Sequence, residues 1–243
     1  MIRLRGVSHI LRNGREVLSG ADVEIPGDRR VALLGRQSAG KSTILSLLAG
    51  NVAPLRGVIE RAARVSYVAG YQGGFRVTQT GRQNIIFAAR AYGADPLEVF
   101  EFVRDVSGFG SDLDVPMRQL SVTNRNNLSY LLAYALPFDV YLFDNVVGPM
   151  LSEIPNLAET CQEMYRRRTA TAGSIVATRN TYVAQKFCDC GLVLRDRRLE
   201  FYDDLREAIA VFNNDLLAAD DEPDNRGQRR GAPLADDADD EEA

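Results

Sequence analysis

Residues 31–49 of this 243-residue chain read VALLGRQSAGKSTILSLLA. The four apolar residues 31–34 are typical of a short buried parallel strand, and the apolar residues 44–49 favour a helix. Between them, residues 35–42 fit the pattern G-x-x-x-x-G-K-[ST] and are followed by Thr43, in the strand-to-helix context that a phosphate-binding loop requires. This stretch therefore predicts an α/β fold built around a site for a nucleoside triphosphate.

The residue types of this loop suit phosphate. Glycines let the backbone wrap closely around phosphate groups, with amide N–H groups pointing inward at a helix N-terminus of partial positive charge. Lys41 and Lys186 are the only lysines among 29 basic residues, and a compact ammonium suits the β- and γ-phosphates better than a planar guanidinium does. The Ser42 hydroxyl is the expected Mg²⁺ ligand. We expect the triphosphate to be bound by Gly35, Arg36, Gln37, Ser38, Ala39, Gly40, Lys41, Ser42 and Thr43.

Composition excludes several classes of protein. The chain is 45% hydrophobic and 26% charged, which is ordinary for a globular protein with a sizeable core. No apolar run approaches the roughly 20 residues that span a bilayer, and the initial MIRLRGVSHI lacks the apolar stretch of a signal peptide. Three cysteines are too few for a disulfide framework or a four-cysteine metal site. We therefore expect a cytoplasmic protein, neither secreted nor membrane-spanning.

The acidic residues are concentrated at the C-terminal end. The formal net charge is −4, but residues 218–243 hold ten acidic residues and three arginines, a net −7, and the remainder carries +3. This end has no aromatic and almost no large aliphatic side chain, so it cannot bury enough apolar surface to offset its ordering entropy. We predict a folded domain over residues 1–214 and a disordered acidic tail over 215–243, either solvated or docked on a basic partner.

The segments around the loop resemble the ATP-binding cassette (ABC) ATPases. Those that carry the resemblance are GREVL at 14–18, VEIPGD at 23–28, LAG at 48–50 and PLRGVI at 54–59. GGF at 73–75, TGRQNI at 80–85 and LDVPM at 113–117 are similar to the subfamily that exports capsular polysaccharide. The resemblance covers about residues 2–212. It implies a P-loop NTPase of α/β class, with a mostly parallel core sheet, an N-terminal antiparallel β portion to about residue 30, and a helical insertion at about 83–136.

The resemblance also implies ligands, partners and a location. The ligands are ATP and Mg²⁺, with Ser42 and Asp144 as the metal ligands. One partner is a membrane permease on a separate chain, and the other is a second nucleotide-binding subunit, either a copy of this chain or an intact heterologous cassette. The chain would then be peripheral on the inner face of the cell membrane. We expect no nucleic-acid partner, because the arginines at 166–168 end a predicted helix at 157–168, where cations complement the helix dipole.

Five positions depart from the family pattern. Asn145 stands where the family has a glutamate that deprotonates the attacking water, and loss of a general base costs roughly 10²–10⁴ in rate. Arg179 replaces the histidine that senses the γ-phosphate, although arginine can still pair with phosphate. The segment 146–150 lacks the expected aspartate, and the usual glutamine after Val68 is displaced to Gln72 or Gln79.

The fifth departure is the signature segment, which aligns with Leu120, Ser121, Val122, Thr123 and Asn124. Ser121 could contact the γ-phosphate of a partner's ATP, or the segment could simply cap a helix at 126–136, since Thr and Asn are good cap residues. Together the five departures predict weak or absent hydrolysis in a homodimer. The sequence is compatible both with a slow ATPase and with a subunit that binds ATP without hydrolysing it.

Recognition of the base is also unusual. The family stacks adenine on an aromatic residue near the N-terminus, but residues 1–66 contain no Phe, Tyr or Trp. His9 and Arg12 lie closest to that position, and either could stack on the ring, although His9 could equally be a packed or surface residue. We expect modest and base-tolerant binding. Tyr130, Tyr134 and Phe138 recur at helical spacing and are expected in the core.

Three functions agree with these features. The first is the ATP-binding subunit of a polysaccharide or glycolipid exporter, working as a homodimer with slow turnover. The second is a hydrolysis-deficient partner of an intact cassette, which binds ATP as a structural clamp. The third is a regulatory ATP-binding protein attached to no permease.

Overall fold

The structure is a computed structural model that describes residues 1–70, 75–149, 152 and 154–220. Nine strands and seven α-helices follow one another within these residues. The strands are β1 (Ile2–Ile10), β2 (Glu16–Ile25), β3 (Arg30–Gly35), β4 (Arg56–Arg61), β5 (Val65–Ala69), β6 (Val140–Asp144), β7 (Gly173–Thr178), β8 (Cys190–Arg195) and β9 (Arg198–Tyr202). The helices are α1 (Lys41–Ala49), α2 (Gly81–Ala91), α3 (Pro96–Ser107), α4 (Val122–Ala135), α5 (Leu157–Arg168), α6 (Thr181–Phe187) and α7 (Leu205–Asp220).

A six-stranded sheet of order β5-β6-β7-β3-β8-β9 forms the centre of the fold. Strands β5, β6, β7, β3 and β8 pair in parallel, and β9 runs antiparallel to β8. Strands β3, β6 and β7 are buried along nearly their whole length. Such continuous apolar runs are typical of parallel strands that are covered on both faces. The predicted mostly parallel core sheet is confirmed.

The strand order brings three loops to one edge of this sheet. Strand β7 lies between β6 and β3, so the carboxyl ends of the three strands are neighbours. Open parallel sheets bind their ligands outside these carboxyl ends. The phosphate-binding loop follows β3, Asn145 follows β6, and Arg179 follows β7. Residues far apart in sequence are therefore brought to one place by backbone pairing alone.

A second sheet is antiparallel and has the order β2-β1-β4. Leu4 of β1 faces Val23 of β2 and Ile59 of β4 in the register. Its buried side chains share one apolar cluster with Leu45 of α1 and Val31 of β3. The predicted N-terminal antiparallel portion is confirmed, but it does not end near residue 30, because β4 adds residues 56–61.

Helices α2, α3 and α4 lie together within residues 81–135. The first of them begins after Thr80, whose hydroxyl accepts a hydrogen bond from the Gln83 N–H at 3.1 Å. The Gln83 side chain in turn accepts from the Thr80 N–H at 3.0 Å. This reciprocal pair is a capping box, which satisfies two backbone donors that a helix start leaves free.

Helix α4 begins earlier than the sequence predicts. It begins at Val122 and not at residue 126, because the Ser121 hydroxyl accepts the Asn124 N–H at 3.0 Å. Serine is among the best cap residues, and its position fixes where the helix starts. The cap is therefore Ser121, not Thr123 or Asn124.

The aromatic residues at 130, 134 and 138 belong to the core, as predicted. Tyr130, Tyr134 and Phe138 are all buried. The ring of Tyr134 lies 5.7 Å from that of Phe143 in β6, and its buried hydroxyl donates to the backbone carbonyl of Val147. Burial raises the pKa of Tyr134 well above its ordinary value. These rings join α4 to the sheet.

The three cysteines are buried free thiols that fill apolar space. Burial raises the pKa of Cys161 to about 12 and that of Cys190 to about 11, so neither thiol is reactive at neutral pH. In the part of the chain that the structure describes, no group of three His, Cys, Asp or Glu side chains is placed to hold a metal ion. None of the helices described there has the length and apolar character needed to cross a membrane.

Helix α7 corrects the predicted end of the folded domain. It runs to Asp220, so the boundary placed after residue 214 falls inside a helix. Its buried residues Leu205, Ala208 and Phe212 recur at helical spacing and pack on the edge of the core near β8. Residues 221–243 of the predicted acidic tail lie outside the described residues.

Gly191→Ala tests the packing of α7 on β8. A Cβ at Gly191 would lie 2.1 Å from the Cβ of Ala208, a rigid neighbour, so the helix must shift. We expect the free energy of unfolding to fall by about 1–3 kcal/mol, the usual cost of overpacking. Urea unfolding measures this value. Ala208→Gly in the same chain removes the clash and should recover part of the loss. An unchanged midpoint of urea unfolding in Gly191→Ala would contradict the close packing of α7 on β8.

Candidate nucleotide-binding site

The turn between β3 and α1 requires glycine at position 40. Gly40 has φ 113°, in the left-handed region, and a Cβ there would lie 2.3 Å from Val17 Cγ1 of β2. Both the backbone angle and the contact therefore exclude other residues. Ser38 is also left-handed, with φ 59°. The loop folds back tightly on itself and presents the start of α1 to the cavity beside it.

Lys41 reaches back across its own loop. Its Nζ donates to the backbone carbonyls of Gly35 at 2.7 Å and Arg36 at 2.8 Å. Burial is the main influence on this ammonium and lowers its pKa, the carboxylate of Asp144 raises it, and the guanidinium of Arg179 lowers it. The loop therefore holds its cation half-buried at its centre, where a phosphate group would meet it.

Ser42 and Asp144 form the second element of the site. The Ser42 hydroxyl, in the first turn of α1, donates to Oδ2 of Asp144 at the end of β6 at 2.6 Å. Mg²⁺ prefers oxygen ligands and usually takes one or two from the protein, with the remainder from water and phosphate. This pair of oxygens, brought together from positions 42 and 144, fits that requirement.

Arg179 and Asn145 complete the cavity from the neighbouring strands. An Nη1–H of Arg179 donates to Oε1 of Gln37 in the loop at 2.8 Å. Asn145 has φ 71°, and its backbone N–H donates to the carbonyl of Ala177 at 2.7 Å. Asparagine is one of the few residues that adopt this left-handed conformation readily. Its side chain offers an amide, which can orient water but cannot accept a proton from it.

These groups surround one cavity of about 450 Å³. It is lined by Arg15, Gln37, Ser38, Gly40, Lys41, Ser42, Thr43, Asp144, Asn145 and Arg179. Three of the lining side chains are cations and one is a carboxylate, so the cavity favours a polyanion. Arg15 was not among the predicted residues. It stands in the turn that joins β1 to β2, inside the segment GREVL at 14–18 that resembles the family, but the resemblance assigns it no role in binding phosphate.

Two predicted loop residues do not line this cavity with their side chains. The guanidinium of Arg36 points the other way and binds Asp215 of α7. Ala39 lines a separate cavity of about 280 Å³ behind the loop. Their backbones belong to the loop, but their side chains do not reach the predicted phosphate position.

The two residues proposed to meet the base lie in an adjoining cavity of about 460 Å³. It is lined by His9, Ile10, Leu11, Arg12, Ser42, Thr43, Ser46, Val52, Val68 and Asp144. None of these is a phenylalanine, tyrosine or tryptophan. A base in this cavity would meet aliphatic side chains together with His9 and Arg12, which lie beside the start of α1.

The remaining positions of the family pattern lie away from the cavity that contains Lys41. Ser121, Val122 and Thr123 are not among its lining residues, and the Ser121 hydroxyl is used as the cap of α4. Gln79 lies before α2, where its carbonyl accepts the Met117 N–H at 2.9 Å. Gln72 and the glycines at 73 and 74 lie outside the described residues, as does position 150.

Comparison with known proteins agrees with this geometry. The family model described as "ABC transporter" matches residues 18–147. The chain is 30% identical to the polysialic acid transport ATP-binding protein KpsT of Escherichia coli, over 87% of this chain and 96% of the relative. It is 30% identical to the capsule polysaccharide export ATP-binding protein CtrD of Neisseria meningitidis serogroup B, over 88% and 99%. ATP-binding protein BexA of Haemophilus influenzae is 29% identical, over 88% and 98%.

Solved structures share the fold. An ATP-binding subunit of an ABC transporter superposes with a TM-score of 0.66 at 19% identity, covering 90% of this chain and 97% of the other. A dimeric ATP-binding cassette bound to ADP and phosphate gives a TM-score of 0.67 at 17% identity, over 85% and 99%. The matching family model, the relatives and the fold agree. The chain belongs to the ABC transporter family, as one of its ATP-binding domains.

Proposed function

We propose that this chain is the ATP-binding subunit of an ABC exporter that carries a capsule-type polysaccharide or glycolipid. The observation that carries the proposal is the cavity in which Lys41, Ser42 and Asp144 meet at the end of the core sheet. The relatives named for capsule and polysialic acid transport support the substrate class. In this role the subunit lies on the inner face of the membrane and works with a separate permease.

The residues of the cavity have distinct tasks in ATP binding. Backbone N–H groups at the start of α1 meet phosphate oxygens, and the ammonium of Lys41 exchanges its two carbonyl partners for phosphate. Ser42 and Asp144 would hold Mg²⁺. Mg²⁺ neutralises phosphate charge when it is bound. Arg179 adds a cation that can make paired hydrogen bonds to phosphate.

In this role the chain would hydrolyse ATP only slowly. Asn145 occupies the place where the family has its general base, and its amide can orient a water molecule without taking its proton. The chain would therefore couple ATP binding to the permease and turn ATP over slowly. A second subunit would complete each site, either as another copy or as an intact cassette.

An apolar groove supports the permease contact. A cavity of about 650 Å³ lies between α1, α2 and α4, and its apolar lining includes Val52, Tyr67, Phe75, Phe87, Tyr92 and Leu132. Phe87 of α2 is 57% exposed, although it is a large apolar side chain. Exposed apolar surface of this kind marks an interaction site. We propose that a helix of the permease occupies this groove.

Asn145→Glu and Lys41→Ala test the assignment of the site. Lys41→Ala should abolish measurable ATP binding, because it removes the cation at the loop centre. Steady-state phosphate release by the wild type should lie close to that of Lys41→Ala. Asn145→Glu should raise release about 100-fold by supplying a base, despite a cost of about 1–2 kcal/mol for a glutamate at φ 71°.

The matched control for this test is Asn145→Gln, which has the length of glutamate without its basicity. It should leave phosphate release unchanged. Equal release by the glutamate and glutamine variants would show that the missing carboxylate at position 145 does not limit hydrolysis. Release by the wild type far above that of Lys41→Ala would show that a base other than residue 145 serves the reaction.

Arg179→Ala tests the contribution of the Arg179 guanidinium to ATP binding. The change should raise the Kd for Mg·ATP about tenfold, the loss expected for one charge-assisted contact, and should weaken the dependence of Kd on salt. Calorimetric titration at two ionic strengths measures both effects. Arg198→Ala removes an arginine of β9 outside this cavity and serves as the control. Equal effects of the two changes would mean that Arg179 contributes only overall charge.

Phe87→Asp tests whether the permease binds in the groove between α1, α2 and α4. It should abolish co-purification with the co-expressed permease in detergent, because it places a carboxylate on the apolar contact, and it should leave the Kd for ATP within twofold. Leu97→Asp is the control, since Leu97 is 64% exposed on α3 and does not line the groove. Retained assembly of Phe87→Asp would place the permease elsewhere.

A further inference from the structure

The side chain of Arg36 joins the phosphate-binding loop to the last helix. Its Nε donates to Oδ2 of Asp215 at 2.8 Å, and its Nη2 donates to Oδ1 at 2.8 Å. The same nitrogen also donates to the backbone carbonyl of Asp215. The Asp215 side chain is only 8% exposed. A bidentate pair in which one partner is buried is both stronger and more directional than an exposed ion pair.

The backbone of Arg36 is tied to the functional lysine. Its carbonyl accepts from Lys41 Nζ at 2.8 Å and from the Ala39 N–H at 3.2 Å. One residue therefore connects Asp215, through its side chain, to Lys41, through its carbonyl. A shift of Arg36 would move the first turn of the loop and the acceptor that holds the ammonium in place.

Asp215 is itself held in a fixed position. Helix α7 packs on β8 through Ala208, whose Cβ lies against Gly191, and Phe212 is fully buried. Strand β8 in turn pairs with β3, and β3 leads directly into the loop. The carboxylate is therefore placed relative to the loop by core packing on one side and by sheet pairing on the other.

We infer that Asp215 is a positioning residue for the phosphate-binding loop, acting through Arg36 to hold the loop in the form that accepts a triphosphate. The inference rests on the proposed function, since it concerns ATP binding at the same site. It assigns a role in nucleotide binding to the C-terminal helix, which does not line the phosphate cavity. By contrast, the carboxylate of Asp203, which pairs with Arg29, is 87% exposed.

The direction of the effect separates positioning from simple electrostatics. Asp215→Asn removes a negative charge close to a site for a polyanion and frees the Arg36 guanidinium. Charge alone would therefore make ATP bind more tightly. Loss of positioning would make ATP bind more weakly, because the loop would have to be ordered during binding. The two accounts predict changes of opposite sign in the same measurement.

The test compares wild type, Asp215→Asn, Arg36→Gln and the double variant, with Asp203→Asn as the matched control. The Kd of a fluorescent ATP analogue is measured well below the melting temperature of each variant, which removes any contribution from unfolded protein. We expect Asp215→Asn and Arg36→Gln each to raise Kd about three- to tenfold. The Kd of the double variant should equal that of either single variant, because each substitution breaks the same contact between Arg36 and Asp215. The Kd of Asp203→Asn should stay within twofold of the wild-type value.

Hydrogen exchange of the loop amides gives a second readout that needs no nucleotide. Without ATP, amides 36–41 should exchange faster in Asp215→Asn than in wild type, while those of the buried strand β7 keep their rates. A Kd that falls or stays constant, or additive effects in the double variant, would overturn the inference. If the loop amides exchange faster in Asp215→Asn than in wild type, but the wild type binds no ATP, the result would support the positioning contact and refute the proposed function. Unchanged loop exchange would refute the contact's role, whatever the Kd.

Discussion

The parallel pairing of β6, β7 and β3 decides where Lys41, Asp144 and Arg179 lie. Backbone hydrogen bonds hold the three carboxyl ends side by side. Ser42 therefore meets Asp144 across 102 positions of sequence, and Arg179 meets Gln37 across 142. The helices on the sheet faces keep the strands buried and the edge in register. If the register of β6 slipped by one residue, the carboxylate of Asp144 would turn to the opposite face of the sheet.

The side chains at this edge suit phosphate binding but include no general base at position 145. Cations at positions 15, 41 and 179 face a cavity with a single carboxylate, Asp144. Only an amide stands at position 145, held in a left-handed backbone conformation that suits asparagine and disfavours glutamate. This distribution favours holding a triphosphate over breaking it. A transporter subunit with such a site would draw on ATP binding to move its permease and would reset slowly.

Much of the fold could be predicted because its signals are local. The run VALL, the loop glycines and Lys41 define strand, turn and helix within 19 residues, and α5 has the predicted bounds of 157 and 168. The departures at Asn145 and Arg179 could be identified for the same reason. Arg15 and Asp215 could not be predicted, because each reaches the loop only through tertiary packing. The acidic composition after residue 218 also concealed the helix that continues to Asp220, since composition does not register the packing of Ala208 and Phe212 in the core.

We expect phosphate groups, and not the base, to supply the binding energy at this site. Calorimetric titration with ATP, GTP, ADP and AMP in the presence of Mg²⁺ tests it most directly. ATP and GTP should bind with Kd values within about fivefold of each other, and AMP should bind at least about 100-fold more weakly, which is about 2.7 kcal/mol. AMP binding as tightly as ATP, or ATP binding far more tightly than GTP, would contradict this expectation, because a pocket that recognises the base would then dominate over the phosphate-binding loop.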